Sequence, residues 1–115
     1  MEVCFEGIGQ VAATFRMEDD GLQPGMAVTV TGSGTVGLGA DGGLPCGVVL
    51  GGVREGTATV QIGGAAAVGY SGTAPKAGWQ KLACDGKGGV KTAEGGLLCL
   101  VLAVDEGEKS VVVKL

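Results

Sequence analysis

Three glycines near the start of the chain have the spacing of a phosphate-binding loop. Gly32, Gly34 and Gly37 form a G-x-G-x-x-G pattern directly after the alternating run VTVT. In a dinucleotide-binding fold this loop leads into a helix whose N-terminus holds the pyrophosphate. Here the next residues, LGADGGLP, contain three more glycines and a proline. Glycine costs about 1 kcal/mol and proline about 3 kcal/mol in a helix interior. We therefore interpret the motif as a β-turn without a nucleotide.

The other residues that could support catalysis or hold a metal are scattered. Glu18, Asp19 and Asp20 form the densest carboxylate cluster, but a calcium loop needs oxygen ligands spread over about twelve residues. We interpret the cluster as a solvated turn. The chain has no histidine, so its serines and cysteines lack the usual base that activates a nucleophile. The sequence predicts no catalytic, metal or cofactor-binding residues, and we expect a protein that is not an enzyme.

The cysteines are too far apart for a CxxC motif. They are Cys4, Cys46, Cys84 and Cys99. Cys46 and Cys99 lie in apolar, strand-like runs, where a free thiol behaves as a small hydrophobic side chain. We expect reduced structural thiols, with a disulfide or a metal site as the alternatives.

Composition narrows the class of protein further. The chain has 115 residues, the size of one domain, and its 25 glycines separate short runs of Val, Leu and Thr, a composition typical of an all-β protein with many turns. A net charge of −4 without a basic cluster argues against nucleic acid as a partner. The longest apolar run, LLCLVLAV, is too short to cross a membrane as a helix, and the N-terminus lacks the positive charge of a signal peptide. We expect no membrane partner and synthesis in the cytoplasm.

The chain also contains an internal repeat. DGGLPCGVVL in the first half matches EGGLLCLVLA 53 positions later, and REGTATVQI matches DEGEKSVVVKL near the end. We predict two pseudo-repeats, residues 24–62 and 77–115, of four short strands each. The predicted strands are 26–31, 35–38, 46–51, 57–62, 79–84, 89–92, 97–104 and 110–115.

The repeat predicts the fold class. We expect an all-β, small single-domain barrel or sandwich built from two pseudo-repeated four-strand units, in which alternation turns one face of each closing hairpin toward the core. The predicted core residues are Leu44, Val48, Val60, Ile62, Leu97, Val101, Val111 and Val113. The run at 97–104 is apolar on both faces, which favours a central strand or one covered by a partner. Residues 22–115 form the β domain, and residues 1–21, outside both repeats, form an N-terminal arm or edge strand.

Large side chains in the N-terminal segment, between the repeats and at the start of the second repeat are candidates for contact with a partner. Tyr70 continues the alternation of Ala66 and Val68, which suggests a further strand between the repeats, and Trp79 stands opposite Met26 in the repeat. Large aromatic residues are enriched at interfaces, but for Trp79 we favour a role in capping the core, whereas Tyr70 fits either place. An N-terminal arm could add to the sheet edge of another subunit. The candidate interface residues are Phe5, Ile8, Val11, Phe15, Tyr70 and Trp79.

Several segments resemble the head decoration, or capsid cement, proteins of tailed bacteriophages and prophages. The most particular is the order SGTAP, GWQKL and DGKGGVK, within VGYSGTAPKAGWQKLACDGKGGVKTAEGG. The segments LQPGMAVTV, CGVVLGGVREGTATVQIGG and LVLAVDEGEKSVVVKL are similar to the same family. The resemblance covers about residues 22–115. It implies a small β domain, often a trimer, that binds the outside of an assembled icosahedral shell, stabilises it against the pressure of packaged DNA and carries no catalytic residues.

The resemblance also implies partners and a location. The partners would be a major capsid protein and further copies of the chain, with no nucleic acid and no membrane, on the capsid surface of a virion assembled in the bacterial cytoplasm. One alternative is a lipoyl- or biotinyl-carrier-like module, which pairs two similar β halves and presents a modified lysine at a hairpin tip. Lys87 in DGKGGV is the candidate for that lysine. An enzyme is a second alternative, which a deep pocket with converging polar groups would favour.

Overall fold

The computed structural model describes residues 10–18 and 21–115, and in these residues it consists of strands and turns without a helix. The strands are β1 (Val11–Met17), β2 (Ala27–Gly32), β3 (Thr35–Leu38), β4 (Gly47–Arg54), β5 (Thr57–Gly63), β6 (Ala65–Gly69), β7 (Gly78–Cys84), β8 (Val90–Thr92), β9 (Leu97–Asp105) and β10 (Ser110–Lys114). The prediction of a small all-β domain is confirmed, and the strands predicted for the two repeats agree closely with β2 to β5 and β7 to β10. None of the described residues belongs to a helix long and apolar enough to span a membrane.

The glycine motif forms a hairpin. Ser33 and Gly34 make the turn between β2 and β3, and Gly34 has a φ of 67°, which glycine adopts without the steric cost that a Cβ would bring. Gly37 lies inside β3, opposite Thr29. The interpretation of this motif as a β-turn is therefore confirmed.

The first five strands form a closed barrel in the order β1-β3-β2-β4-β5. Its interior is filled by apolar side chains from the strands and from the segment before β2. They are Leu22, Val28, Val36, Val49, Ala58 and Val60. β1 closes the barrel, because it pairs antiparallel with β5 and parallel with β3. Residues Val11–Met17, which we predicted to lie in an arm or edge strand, thus have a strand on each side instead; residues 1–9 lie outside the described residues.

The second five strands repeat this order. They form a sheet in the order β6-β10-β9-β7-β8, and Tyr70, directly after β6, forms a parallel bridge with Val90 of β8. In the barrel, Met17 of β1 pairs in parallel with Val36 of β3, so the bridge between the two ends of the second sheet has a counterpart in the closed barrel. The repeat unit therefore contains five strands. β1 and β6, which the sequence left outside both repeats, are the first strand of each unit.

The register of the two units coincides as well. Ala13 pairs with Val60 in the barrel, and Ala66 pairs with Val113 in the sheet. Both members of the second pair lie 53 positions after those of the first, which is the offset of the sequence repeat. The two halves thus repeat in strand order and in cross-strand pairing.

A second core lies between the sheet and the barrel. The sheet contributes Ala66, Val68, Tyr70, Leu82, Val90, Cys99, Val101, Val111 and Val113, and the barrel contributes Ala27 and Val48. Ala27 and Val48 are cross-strand partners on β2 and β4, so this part of the barrel wall forms one side of the second core. Each buried valine stabilises the fold by about 1.5–3 kcal/mol before the entropy of ordering is subtracted.

The segment between β3 and β4 also joins the two halves. The N–H of Gly42 donates to the carbonyl of Cys84 at 2.9 Å, and Lys91 forms an ion pair with Asp41 at 2.6 Å. Gly39 lies so close to Cys84 that a Cβ at position 39 would collide with the thiol. This close approach explains why a glycine is required there.

The predicted core is confirmed in part. Val48, Val60, Val101, Val111 and Val113 are buried. The other predicted core residues, Leu44, Ile62 and Leu97, are 51%, 39% and 42% exposed, and for these the prediction was wrong. Leu44 lies in the loop before β4, and Ile62 and Leu97 lie near strand ends, where alternation no longer guarantees a covering layer.

Gln61 is the opposite case. It stands between the predicted core residues Val60 and Ile62, so alternation places it on the outward side of the strand, yet its side chain is only 4% exposed. It lies opposite Val48, on the wall of the barrel that the second half covers. Its side-chain amide donates to the carbonyls of Gly63 at 2.9 Å and Ala65 at 2.7 Å. These bonds fix the short connection between β5 and β6, where the first unit ends and the second begins.

Candidate functional site: an exposed apolar sheet face and the cavity beside it

The outer face of the second sheet carries an exposed apolar strip. Trp79 on β7 lies opposite Leu100 on β9, Lys81 lies opposite Leu98, and Leu100 lies opposite Lys114 on β10. Directly paired residues of antiparallel strands project from the same face. Trp79 is 65% exposed and Leu98 is 58% exposed, more than any other large apolar side chain in the described residues. We call these five residues the Trp79 face.

The strand pattern explains this face. β9 lies between β10 and β7, and its Cys99 and Val101 belong to the second core, so alternation turns Leu98 and Leu100 outward. The prediction that this doubly apolar strand is central is confirmed. The other possibility was that a partner covers this strand. It applies only to the outer face of β9, which no other part of the described chain covers.

Lysines border the Trp79 face. Lys81 and Lys114 are exposed, and Glu94 lines a shallow depression together with Lys81. Within residues 10–18 and 21–115 the ion pair that forms is Lys91 with Asp41, so Lys81 and Lys114 are not neutralised by a salt bridge there. The face is apolar with a positive border, on a chain whose net charge is −4.

An apolar cavity of about 150 Å³ opens beside the Trp79 face. Its walls include Val68, Leu82, Val90, Cys99 and Val113 of the second core, and Ile62 and Leu97 lie at its exposed mouth. Leu98 and Lys114 belong both to the cavity lining and to the Trp79 face. Lys114 provides the one charged side chain of that lining. The exposed Ile62 and Leu97 therefore join the surface that a partner could cover.

The structure distributes the candidate interface residues over several places. Trp79 points away from the core, so the interpretation that it caps the core was wrong, and its role in an interface stays a prediction. Val11 is 54% exposed on the barrel, and Phe15 is half-buried against the barrel core. Phe5 and Ile8 lie outside the described residues.

Tyr70 belongs to the second core and not to an exposed surface. Its side chain is 8% exposed, and its backbone N–H donates to the carbonyl of Lys109 at 3.0 Å. Tyr70 faces the second core, as Ala66 and Val68 do. It keeps this orientation after β6 has ended because its backbone forms a bridge with Val90.

Sequence reasoning did not identify the remaining residues of the Trp79 face. Leu98 and Leu100 were recognised only as part of a run that is apolar on both sides, and Lys81 and Lys114 carried no signal. The register between β7, β9 and β10 brings these side chains beside Trp79. The apolar run was the sequence feature that could have identified this face. Two leucines that face outward on a central strand expose apolar surface that a binding partner could cover.

Asp85 orders the loop between β7 and β8. Its carboxylate accepts the N–H of Lys87 at 2.7 Å, the N–H of Gly89 at 3.0 Å and the hydroxyl of Ser71 at 3.0 Å. Desolvation acts to raise the pKa of Asp85, but the hydrogen bonds and the nearby Lys87 cation together outweigh it, and the pKa lies below its ordinary value. Lys87 itself is exposed in this loop.

The described cysteines, Cys46, Cys84 and Cys99, are free thiols. Burial raises the pKa of each of them, so they stay protonated at neutral pH. Among the residues that the structure describes, no three Cys, Asp or Glu side chains gather in an arrangement that could hold a metal ion. Cys4 and the predicted solvated turn at Asp19 and Asp20 lie outside that part of the chain.

Comparison with protein-family models and with curated proteins gave no match to this chain. What the chain does is therefore inferred from the Trp79 face, from the cavity beside it and from the resemblance of its segments to decoration proteins.

Proposed function

We propose that the chain is a non-enzymatic structural protein of a tailed bacteriophage or prophage, and that it binds and stabilises the outer surface of the assembled capsid. Its partner is then the major capsid protein, and its place is the surface of a virion assembled in the bacterial cytoplasm. The observation that carries this proposal is the Trp79 face, an exposed tryptophan and leucine strip on the central strands of a rigid sheet. Aromatic anchors of this kind dominate binding energy at protein interfaces.

The arrangement suits a cement mechanism. A sheet face positions its side chains more rigidly than a loop does, so little ordering entropy is lost on binding. Many copies, each gaining modest apolar burial, would hold neighbouring shell subunits together by avidity. Oligomerisation of the decoration protein, as a trimer or otherwise, would add to that effect.

Co-sedimentation with empty shells tests the proposal. The purified protein should pellet with shells assembled from the capsid protein encoded beside its gene. Trp79→Ser should weaken binding about 30-fold, which corresponds to a hot-spot loss of about 2 kcal/mol. Val30→Ser is the matched control, because Val30 is also exposed, at 55%, but lies on the barrel. Failure of the unaltered protein to bind shells would refute the proposal.

A carrier-like module is the second candidate function, which the position of Lys87 favours. Lys87 is exposed in the loop between β7 and β8, whose conformation Asp85 fixes. If this lysine is lipoylated or biotinylated, the intact mass of the protein purified from its native host will show the addition, and Lys87→Arg will abolish it. An unmodified mass eliminates this candidate.

A further inference from the structure

We propose that the cavity beside the Trp79 face receives one aliphatic or phenyl side chain of the shell protein, with a carboxylate of the same segment placed next to Lys114. This inference rests on the proposed function, because it assigns the partner of the same surface. It adds the chemistry of the group that the partner inserts.

The size of the cavity sets the size of the guest. Its volume is about 150 Å³, and an apolar cavity of about this volume stays dry and binds benzene. A phenyl ring or a branched aliphatic side chain fits such a space.

The lining sets the polarity of the guest. Val68, Leu82 and Val113 present only hydrocarbon, and the thiol of Cys99 points to the carbonyl of Leu97 at 3.4 Å. No buried side-chain N or O atom in the described residues lacks a hydrogen-bond partner, so the walls offer a polar guest no unsatisfied side-chain group. A hydroxyl or amide placed among Val68, Leu82 and Val113 would lose its bonds to water, and these side chains could not replace them.

The border of the cavity sets the charge beside the guest. Lys114 belongs to the lining and to the Trp79 face, and Lys81 lies on the same face one row further along β7. A partner that covers this face brings its own surface against both ammonium groups. A carboxylate flanking the inserted side chain would complement them, whereas a lysine or arginine there would be repelled.

The first experiment probes the cavity with benzene as the ligand and without any shell. Benzene should raise the melting temperature of the unaltered protein. A variant with enlarged wall residues, Cys99→Met with Val68→Ile, should fold and lose this response, because the added carbon atoms occupy the space. Absence of a benzene response in the unaltered protein would overturn the inference.

The second experiment measures shell binding of the same proteins. The enlarged variant should bind empty shells at least tenfold more weakly than the unaltered protein, and benzene should compete with the shell for the unaltered protein only. Ile62→Glu, at the mouth, should weaken binding to a similar extent without depending on how the core repacks. Leu50→Glu is its control, because Leu50 and Ile62 are both 39% exposed and Leu50 does not line the cavity.

The outcomes separate the two proposals. If the enlarged variant and Ile62→Glu bind shells as tightly as the unaltered protein does, the inference is wrong while the decoration function stands. If the unaltered protein binds no shell, both the decoration function and the inference are wrong. A benzene response would then show only that the cavity binds an apolar ligand. Sedimentation velocity shows whether the unaltered protein self-associates and whether benzene reverses this association. If it does, the occupant of the cavity is a second copy of the chain, and the inference is overturned.

Discussion

Tyr70 pairs with Val90 across the two ends of the second sheet, and this contact occupies the place that the Met17 and Val36 pair has in the barrel. In the barrel, β1 and β3 are joined by two residue pairs, whereas this one bridge joins the two ends of the second sheet. Tyr70 is therefore both a core residue and the closing element of the second unit.

Removing the Tyr70 side chain should destabilise the protein strongly. Tyr70→Ala leaves a cavity in the second core, and truncation of a large buried side chain costs about 3 kcal/mol or more. Trp79→Ala should change the free energy of unfolding by less than about 0.5 kcal/mol, because its side chain faces solvent. Urea unfolding followed by circular dichroism measures both changes. Equal losses in the two variants would contradict the assignment of one aromatic to the core and the other to the surface.

Gln61 should matter through its amide rather than through its bulk. Gln61→Met keeps the length of the side chain but leaves the carbonyls of Gly63 and Ala65 without these donors, which should cost about 1–3 kcal/mol. Gln80→Met serves as the control, because the amide of Gln80 donates to the carbonyl of Trp79 at an exposed site and its loss should cost less than about 0.5 kcal/mol. Both values come from equilibrium denaturation. A neutral Gln61→Met would show that the connection between the halves does not need these bonds.

The sequence was sufficient for the strands and turns, because these depend on neighbouring residues. Alternation and paired glycines located β2 to β5 and β7 to β10 closely. The sequence indicated β1 as an arm or edge strand and β6 as a further strand between the repeats, but it assigned neither to a repeat unit. The closing pairs between Met17 and Val36 and between Tyr70 and Val90 join segments about twenty residues apart and depend on how the sheet curves. The alternation of residues along one strand carries no information on the curvature of the sheet.

The candidate site could be predicted only in outline. The doubly apolar run at 97–104 indicated a surface in need of a cover, but the register that sets Leu100 beside Trp79 is a contact between strands. The errors at Ile62 and Gln61 have the same origin. Alternation predicts which side of a strand a residue faces, whereas burial depends on what packs against that side. The second half of the chain covers Gln61, but it leaves Ile62 at the mouth of the cavity.

The stability contributed by Asp85 should depend on pH. Its pKa in the folded protein lies below the ordinary value, which is about 3.9 for an aspartate in an unfolded chain. The carboxylate therefore stabilises the fold above about pH 4 and loses this effect as the pH falls through the folded pKa. Asp85→Asn should lower the free energy of unfolding by about 1 kcal/mol at pH 7, a figure reduced for solvent screening at this partly exposed site.

Chemical denaturation at a series of pH values provides the measurement for Asp85. The deficit of the Asn variant should shrink as the pH falls through the folded pKa of Asp85, because the aspartate then becomes protonated in the folded state as well as in the unfolded state. Glu94→Gln, at an exposed position outside this hydrogen-bond network, should behave as the unaltered protein does throughout the series. A constant deficit for Asp85→Asn across the series would mean that its role is steric.

The buried thiols should resist alkylation until the protein unfolds. Burial raises the pKa of Cys84 and Cys99, and the thiolate is the reactive form. In a Cys4→Ser background, both should react with iodoacetamide at pH 8 at least about tenfold more slowly than an unfolded control. Cys46 is only half-buried and should react before them. Peptide mass spectrometry assigns the label, and labelling of Cys84 or Cys99 as fast as in the unfolded control would contradict the burial of these thiols.

The closed barrel leaves little backbone for cross-β growth in the first half of the described chain. An open row of N–H and C=O groups is a template on which another chain can add a strand, and short valine-rich segments are prone to that addition. β1 to β5 have neighbours on both sides, and the contact between Tyr70 and Val90 occupies part of the seam between β6 and β8. Among the described strands, the backbone open to strand addition is therefore confined to the parts of β6 and β8 that this bridge does not occupy.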